Sequence, residues 1–181
     1  MTEVTTPAPS PVRASESLRS EVEAFLYLEA RLLSTAQERV WHTQMLHPEI
    51  HYRVCSRQLR SSKSKRYDQP IEVFHFDDDI NALDKRVDQI ESGIQWRSDP
   101  PETLMYIVSN VEAFDDEQGG DVRVYSNVIM IRDRRVYESD QFHYRREDVL
   151  RRGEDGALRL LERSVVYGQR MVQGKNLLFF L

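Results

Sequence analysis

The feature that most constrains this chain is a change of hydropathy period: helical spacing in the first part, then long extended segments whose two faces are both apolar. Over Asp121 to Asp133 one parity supplies Val122, Val124, Ser126, Val128 and Met130, and the other Arg123, Tyr125, Asn127, Ile129 and Ile131. Thr103 to Phe114 behaves alike, with Leu104, Tyr106, Val108 and Phe114 on one side and Met105, Ile107, Val111 and Ala113 on the other. An antiparallel sheet with one wet face alternates cleanly between apolar and polar residues. These segments do not, and the predicted helices can cover only one face. The second face therefore predicts another chain or a sheet curled over a ligand pocket. The plainer alternative is a strongly curved sheet that covers itself.

The remaining elements follow from local pattern. Pro7, Pro9 and Pro11 lie among Thr, Ser and Ala, so residues 1–14 are expected to form a mobile arm outside the fold, with residues 15–181 as one domain. From Ser15, Leu18, Val22, Phe25, Leu26, Leu32 and Leu33 recur at helical spacing. A shorter helix is predicted from Thr35 to Leu46, carrying Val40, Trp41 and Met45 inward and stopping before Pro48. Ile50, Tyr52 and Val54 then alternate with His51, Arg53 and Cys55 as a strand, followed by a polar loop through Ser61 to Arg66. Asp77, Asp78 and Asp79 precede Ile80, Leu83, Val87 and Ile90, which predicts acids at the N-terminus of a third helix ending near Gly93 rather than a metal site. A hairpin centred near Gln118 places Asn110 opposite Ser126 and Ser109 opposite Asn127. Further strands are expected over Val136 to Tyr144 and Leu158 to Val166, with Gly153 to Gly156 as a turn, and Leu177 to Leu181 forms an apolar stretch that water does not favour.

Composition removes several classes of function. The 181 residues are 40% hydrophobic and 30% charged with a net charge of -5, which suits one core and an ordinary surface. Arg134-Arg135, Arg145-Arg146 and Arg151-Arg152 each stand near acids such as Asp133, Glu147, Asp148 and Glu154, and so predict solvated or interfacial ion pairs rather than phosphate binding. No nucleic-acid partner is expected. Cys55 is the only cysteine, which precludes an intrachain disulfide and cannot supply an iron–sulfur or structural zinc site. No segment approaches the ~20 apolar residues of a membrane span, and the N-terminal residues lack a basic stretch followed by an apolar run. A cytoplasmic location without membrane partners is the expectation.

Taken in order, these pieces resemble the small (beta) subunits of bacterial aromatic-ring-hydroxylating dioxygenases, nearest the naphthalene and nitroarene type. The resemblance rests on Trp41, Glu49-Ile50-His51-Tyr52, Ser56-Arg57-Gln58-Leu59-Arg60, Ile107-Val108-Ser109-Asn110-Val111 and Val122-Arg123-Val124-Tyr125-Ser126-Asn127. It continues through Arg132-Asp133-Arg134, Arg146-Glu147-Asp148-Val149-Leu150-Arg151-Arg152, Leu161-Glu162-Arg163 and Asn176-Leu177-Leu178-Phe179-Phe180-Leu181. Met105 stands where many relatives have Arg, and Tyr167-Gly168 where Leu-Asp is common. The resemblance implies an α+β cystatin-like or NTF2-like cone, with about three helices on one face of a long curved antiparallel sheet. It implies no catalytic, cofactor or metal residue here. The Rieske [2Fe–2S] cluster and mononuclear Fe(II) would lie in a large (alpha) partner that adds both atoms of O2 to an aromatic ring, giving a cis-dihydrodiol. NAD(P)H would act through a reductase and ferredoxin, in an assembly with three of each subunit.

On that reading, sheet aromatics and Arg–carboxylate pairs should carry subunit contacts. The candidates are Arg123, Tyr125, Arg132, Arg134, Phe179 and Phe180, with the alternative that Phe179 and Phe180 fill this chain's own core. The rival function is a stand-alone NTF2-like isomerase or dehydratase whose acid/base candidates inside the cone are His143, Asp140, Tyr125 and Tyr144. A two-histidine metal triad is disfavoured. His42 and His47 sit five apart on a predicted helix and so diverge, and His51 falls on the following strand.

Overall fold

A computed structural model describes residues 12–56, 73–93, 101–115, 120–167 and 177–181. The elements are β1 (Val12–Arg13), α1 (Glu16–Ser34), α2 (Glu38–Met45), β2 (Leu46–Ser56), β3 (Val73–Asp78), α3 (Ile80–Glu91), β4 (Thr103–Asp115), β5 (Asp121–Arg135), β6 (Glu138–Arg152) and β7 (Leu158–Tyr167). Residues 1–11, the loop through Ser61 to Arg66, the Arg57-to-Arg60 stretch, Gln118, Gly168 and Asn176 lie outside the described residues.

The helices begin where side chains can satisfy their first amides. Ser15 Oγ accepts from Leu18 N at 3.2 Å, and Asp79 Oδ1 accepts from Ala82 N at 2.8 Å. Only Asp79 of the three acids caps α3; Asp77 and Asp78 end β3, where they meet His51 and Arg86. The second helix starts at Glu38, later than Thr35, because Ala36 takes a positive φ of 54° and breaks the helical path.

The strands form one seven-stranded sheet in the order β1-β4-β5-β6-β7-β2-β3. Neighbours are antiparallel except β2 and β7, so the sheet is mixed rather than wholly antiparallel as expected. The β2–β7 register slips between Leu46 and His51, a span that contains Pro48, which has no amide to donate. The β4–β5 hairpin keeps the expected pairing of Ser109 with Asn127. It then shifts by one residue, because Asn110 adopts a φ of 52° and forms a bulge, so Glu112 pairs with Tyr125 and Asn110 loses its place opposite Ser126. At the other end of β4, Val12 and Arg13 of the expected arm pair with Asp115 and Phe114.

One buried cluster joins the helices to the sheet. It includes Val22, Leu26 and Leu33 of α1, Trp41 and Met45 of α2, and Leu83 and Val87 of α3. From the sheet it takes Tyr52, Val54, Val122, Val124, Val128, Met130, Phe142, Leu150, Leu160 and Val165. Phe179, Phe180 and Leu181 belong to it too, at 1%, 1% and 0% exposure. The sheet therefore has an inner face against helices and the 177–181 segment, and an outer face turned away from them.

Candidate functional site

The inner face carries charge where its neighbours are apolar. On β6, Phe142, Tyr144, Arg146, Asp148 and Leu150 share one face, and all are buried. Arg163 of β7 lies between Asp148 and Glu29 of α1, both of which it binds in a two-pronged way. Its Nε and Nη2 donate to the Asp148 carboxylate at 2.9 Å each, and its Nη1 and Nη2 to Glu29 at 2.7 and 2.8 Å. Arg146 Nη1 is 3.0 Å from Glu29 Oε2. Trp41 Nε1 donates to Glu29 Oε1 at 2.9 Å.

Two cations and two carboxylates thus neutralise one another in a buried setting. Burial alone would push the Glu29 carboxyl up, but the charges of Arg163 and Arg146, with hydrogen bonds from Arg163 and Trp41, bring it down to about 2. Arg163 is held well above its ordinary value, because Asp148 and Glu29 outweigh the opposing effect of burial. Such a network is stable only as a whole, since removal of one member strands the others.

The 177–181 segment closes this interior. Tyr52 O–H donates to Leu181 O at 2.9 Å, Tyr106 O–H to Phe180 O at 2.7 Å, Arg163 Nη1 to Leu181 O at 3.0 Å and Arg86 Nη2 to Phe179 O at 3.1 Å. Phe180 lies against Trp41 with ring centroids 4.5 Å apart, and Phe179 against Phe142 at 5.0 Å. The Arg86 guanidinium sits 4.6 Å from the centre of the Phe180 ring.

Of the interface candidates, Phe179 and Phe180 are therefore committed to this chain's own core. Arg132 is likewise enclosed, at 0% exposure, and meets Glu102 at 2.7 Å, Asp140 at 2.5 Å and Glu138 at 3.2 Å. It shares the inward parity of Val122 to Met130, which accounts for its burial. Arg123 is exposed on the outer face, Tyr125 is half-buried there against Phe114 at 5.9 Å, and Arg134 is half-buried.

The residues of the rival enzyme do not converge. His143 is exposed on the outer face, Asp140 is held by Arg132, and Tyr144 is buried on the inner face. Among the described residues, no group of three or more His, Cys, Asp or Glu side chains could hold a metal ion. His42 Nε2 lies 3.2 Å from Ile80 O, and His51 Nε2 lies 2.6 Å from Asp77 Oδ1. The arginine pairs divide: Arg151 and Arg152 form surface pairs with Asp121 and Glu21, as expected, but Arg146 is buried.

The outer face exposes a group of large apolar residues. Met105, Ile107 and Ile129 are 54%, 45% and 37% exposed. Register pairs Ile107 with Ile129 and Met105 with the half-buried Ile131, so the four form a block across β4 and β5. Their segments were already legible as apolar on both parities. The inner charged quartet was missed, although its signal was present: Glu29 lies at helical spacing from Val22, Leu26 and Leu33, and Arg146 and Asp148 on the parity of Tyr144 and Leu150.

The described residues, three helices against a seven-stranded sheet, form an α+β fold of the NTF2-like class. A likeness in fold alone extends to a candidate scytalone dehydratase from Novosphingobium aromaticivorans, 12% identical, with a TM-score of 0.61 over 84% of this chain and 85% of that one. Sequence comparison is more specific, because the family described as "Ring hydroxylating beta subunit" matches residues 28–174. The small oxygenase component of the naphthalene 1,2-dioxygenase system of Pseudomonas aeruginosa is 32% identical over 166 residues, 92% of this chain and 86% of that relative. The corresponding component of the 2,4-dinitrotoluene dioxygenase system of Burkholderia sp. (strain RASC) is 35% identical over 165 residues, 91% and 85% of the two chains. A chain in the structure of naphthalene 1,2-dioxygenase with indole in its active site matches with a TM-score of 0.87 and 31% identity, over 93% of this chain and 88% of that one. The chain belongs to the ring-hydroxylating dioxygenase beta-subunit family.

Proposed function

We propose that this chain is the non-catalytic small subunit of an aromatic-ring-hydroxylating dioxygenase and works by holding other subunits against its outer sheet face. The observation that carries this reading is the contrast between the two faces. The Glu29–Arg163–Asp148–Arg146 network and the 177–181 segment occupy the inside, while Met105, Ile107 and Ile129 remain exposed outside. Apolar side chains grouped on adjacent strands and bordered by Arg123 and Tyr125 suit a subunit contact. Arg134, half-buried near the end of β5, is a further candidate for subunit contact.

In the assembled enzyme the large subunit carries the Rieske [2Fe–2S] cluster and mononuclear Fe(II), and adds both atoms of O2 to an aromatic hydrocarbon to form a cis-dihydrodiol. Electrons from NAD(P)H pass through a reductase and ferredoxin. Three small subunits hold three large ones in the cytoplasm, and this chain contributes no active site. A lone buried Cys55 suits that reducing compartment.

The test is affinity purification of the tagged chain from its native host, with mass spectrometry of what accompanies it and iron assays of the complex and the separated chain. Recovery of an iron-containing large partner, with iron absent from the separated chain, is the expected result. A homo-oligomer without such a partner would overturn the proposal.

A further inference from the structure

Among the described residues, five polar atoms on the inner face have no hydrogen-bonding partner: Ser126 Oγ, Tyr144 Oη, Arg146 Nε and Nη2, and Tyr167 Oη. Their residues are 4%, 4%, 2% and 2% exposed in that order of residue. The sheet sets them side by side. Ser126 is opposite Arg146 across β5 and β6, Tyr144 is opposite Tyr167 across β6 and β7, and Tyr144 and Arg146 leave the same face of β6 two residues apart. The two tyrosine rings lie 5.9 Å apart between centroids.

Buried polar groups in folded proteins are nearly always bonded, because each one left dry costs free energy. Five in one place therefore describe a site rather than a scatter of defects. Its chemistry is definite. The Nε–Nη2 edge of Arg146 offers three N–H donors, and each hydroxyl can both donate and accept. Arg146 Nε is 3.5 Å from Asp148 Oδ2, close enough for attraction but without hydrogen-bond geometry.

Charge decides what fits there. Arg146 and Arg163 are already balanced by Glu29 and Asp148, so an anion would bring an uncompensated charge into a buried interior. A cation would face N–H donors. Burial holds Tyr144 and Tyr167 in the neutral hydroxyl form, so neither supplies a compensating charge. The occupant must be neutral, must accept from the guanidinium edge, and must exchange donor and acceptor roles with three hydroxyls. Water meets all three requirements.

We propose that Ser126, Tyr144, Arg146 and Tyr167 bind a fixed cluster of internal water molecules that fastens β5, β6 and β7 together beside the Glu29–Arg163–Asp148 network. The cluster is a binding site in its own right, independent of any subunit contact on the outer face.

Oxygen-17 water relaxation dispersion on the full chain reads the residence of internal water directly, and Tyr144→Phe, Tyr167→Phe and Ser126→Ala each remove one oxygen with little change of shape. Long-lived internal water in the parent, diminished in each variant, is the expected result. The Tm of each variant should fall by about 2–4 °C, and the pair Tyr144→Phe with Ser126→Ala should lose less than the sum, because the two share bridging molecules. The relaxation signal decides. A parent chain without long-lived internal water overturns the proposal, as does a signal that none of the three variants reduces. A rise in Tm with added formate at constant ionic strength, abolished in Tyr144→Phe, would mark the site as one for a carboxylate and overturn it as well.

Discussion

Glu29 shows how far one side chain can depart from what its type suggests. A carboxylate on a helix is ordinarily solvated, yet this one sits at 1% exposure between two guanidinium groups and an indole N–H. Its folded pKa of about 2 lies below the ordinary 4.5, so its ionised form is the one the fold prefers. The stabilisation it provides is complete above about pH 4.5 and is lost as pH falls toward about 2. Urea midpoints measured down that range should drop for the parent and drop less steeply for Glu29→Gln. At neutral pH the same substitution should cost about 3–5 kcal/mol, because it leaves two buried arginines short of a counter-charge. The residue was open to reading from its helical spacing with Val22 and Leu33, but spacing does not reveal the distant arginine that makes burial affordable.

Among the elements, the 177–181 segment is the one whose role geometry changes most. An apolar run of Leu and Phe fits equally a subunit contact or a core plug, and sequence cannot separate the two. Phe180 lies between Trp41 and Arg86, so truncation empties the core of this chain. Phe180→Ala is therefore expected to destabilise the isolated chain by about 3–5 kcal/mol in urea unfolding, whereas an interface residue would alter assembly and leave that midpoint unmoved. The hairpin of β4 and β5 was legible as far as Ser109 and Asn127, since alternation fixes register until a residue leaves extended geometry. Asn110 does so, and only its φ of 52° announces it. The strand β3 was hidden for a different reason: Asp77 and Asp78 resemble the acids of a helix start, and their roles are set by His51 and Arg86, which lie elsewhere in the chain.

For the whole molecule, the sheet's two apolar parities resolve into one face that meets the helices and one that stays open. Ile129→Lys should weaken recovery of the large partner by about tenfold or more, as loss of a central apolar contact does, and should leave the Tm of the isolated chain within about 2 °C of the parent. Co-purification yield and a thermal melt measure the two effects separately. The parallel pairing of β2 with β7 has another consequence, which concerns the order of folding. Glu29 and Arg163 are 134 residues apart, and Tyr52 and the Leu181 carbonyl 129. Glu29 of the first helix cannot meet Arg163, nor β2 complete its pairing with β7, until the last strand has been made. Contacts so remote in sequence form slowly, so a nascent chain carries Glu29 without its arginines and an open edge on β2 for most of its synthesis.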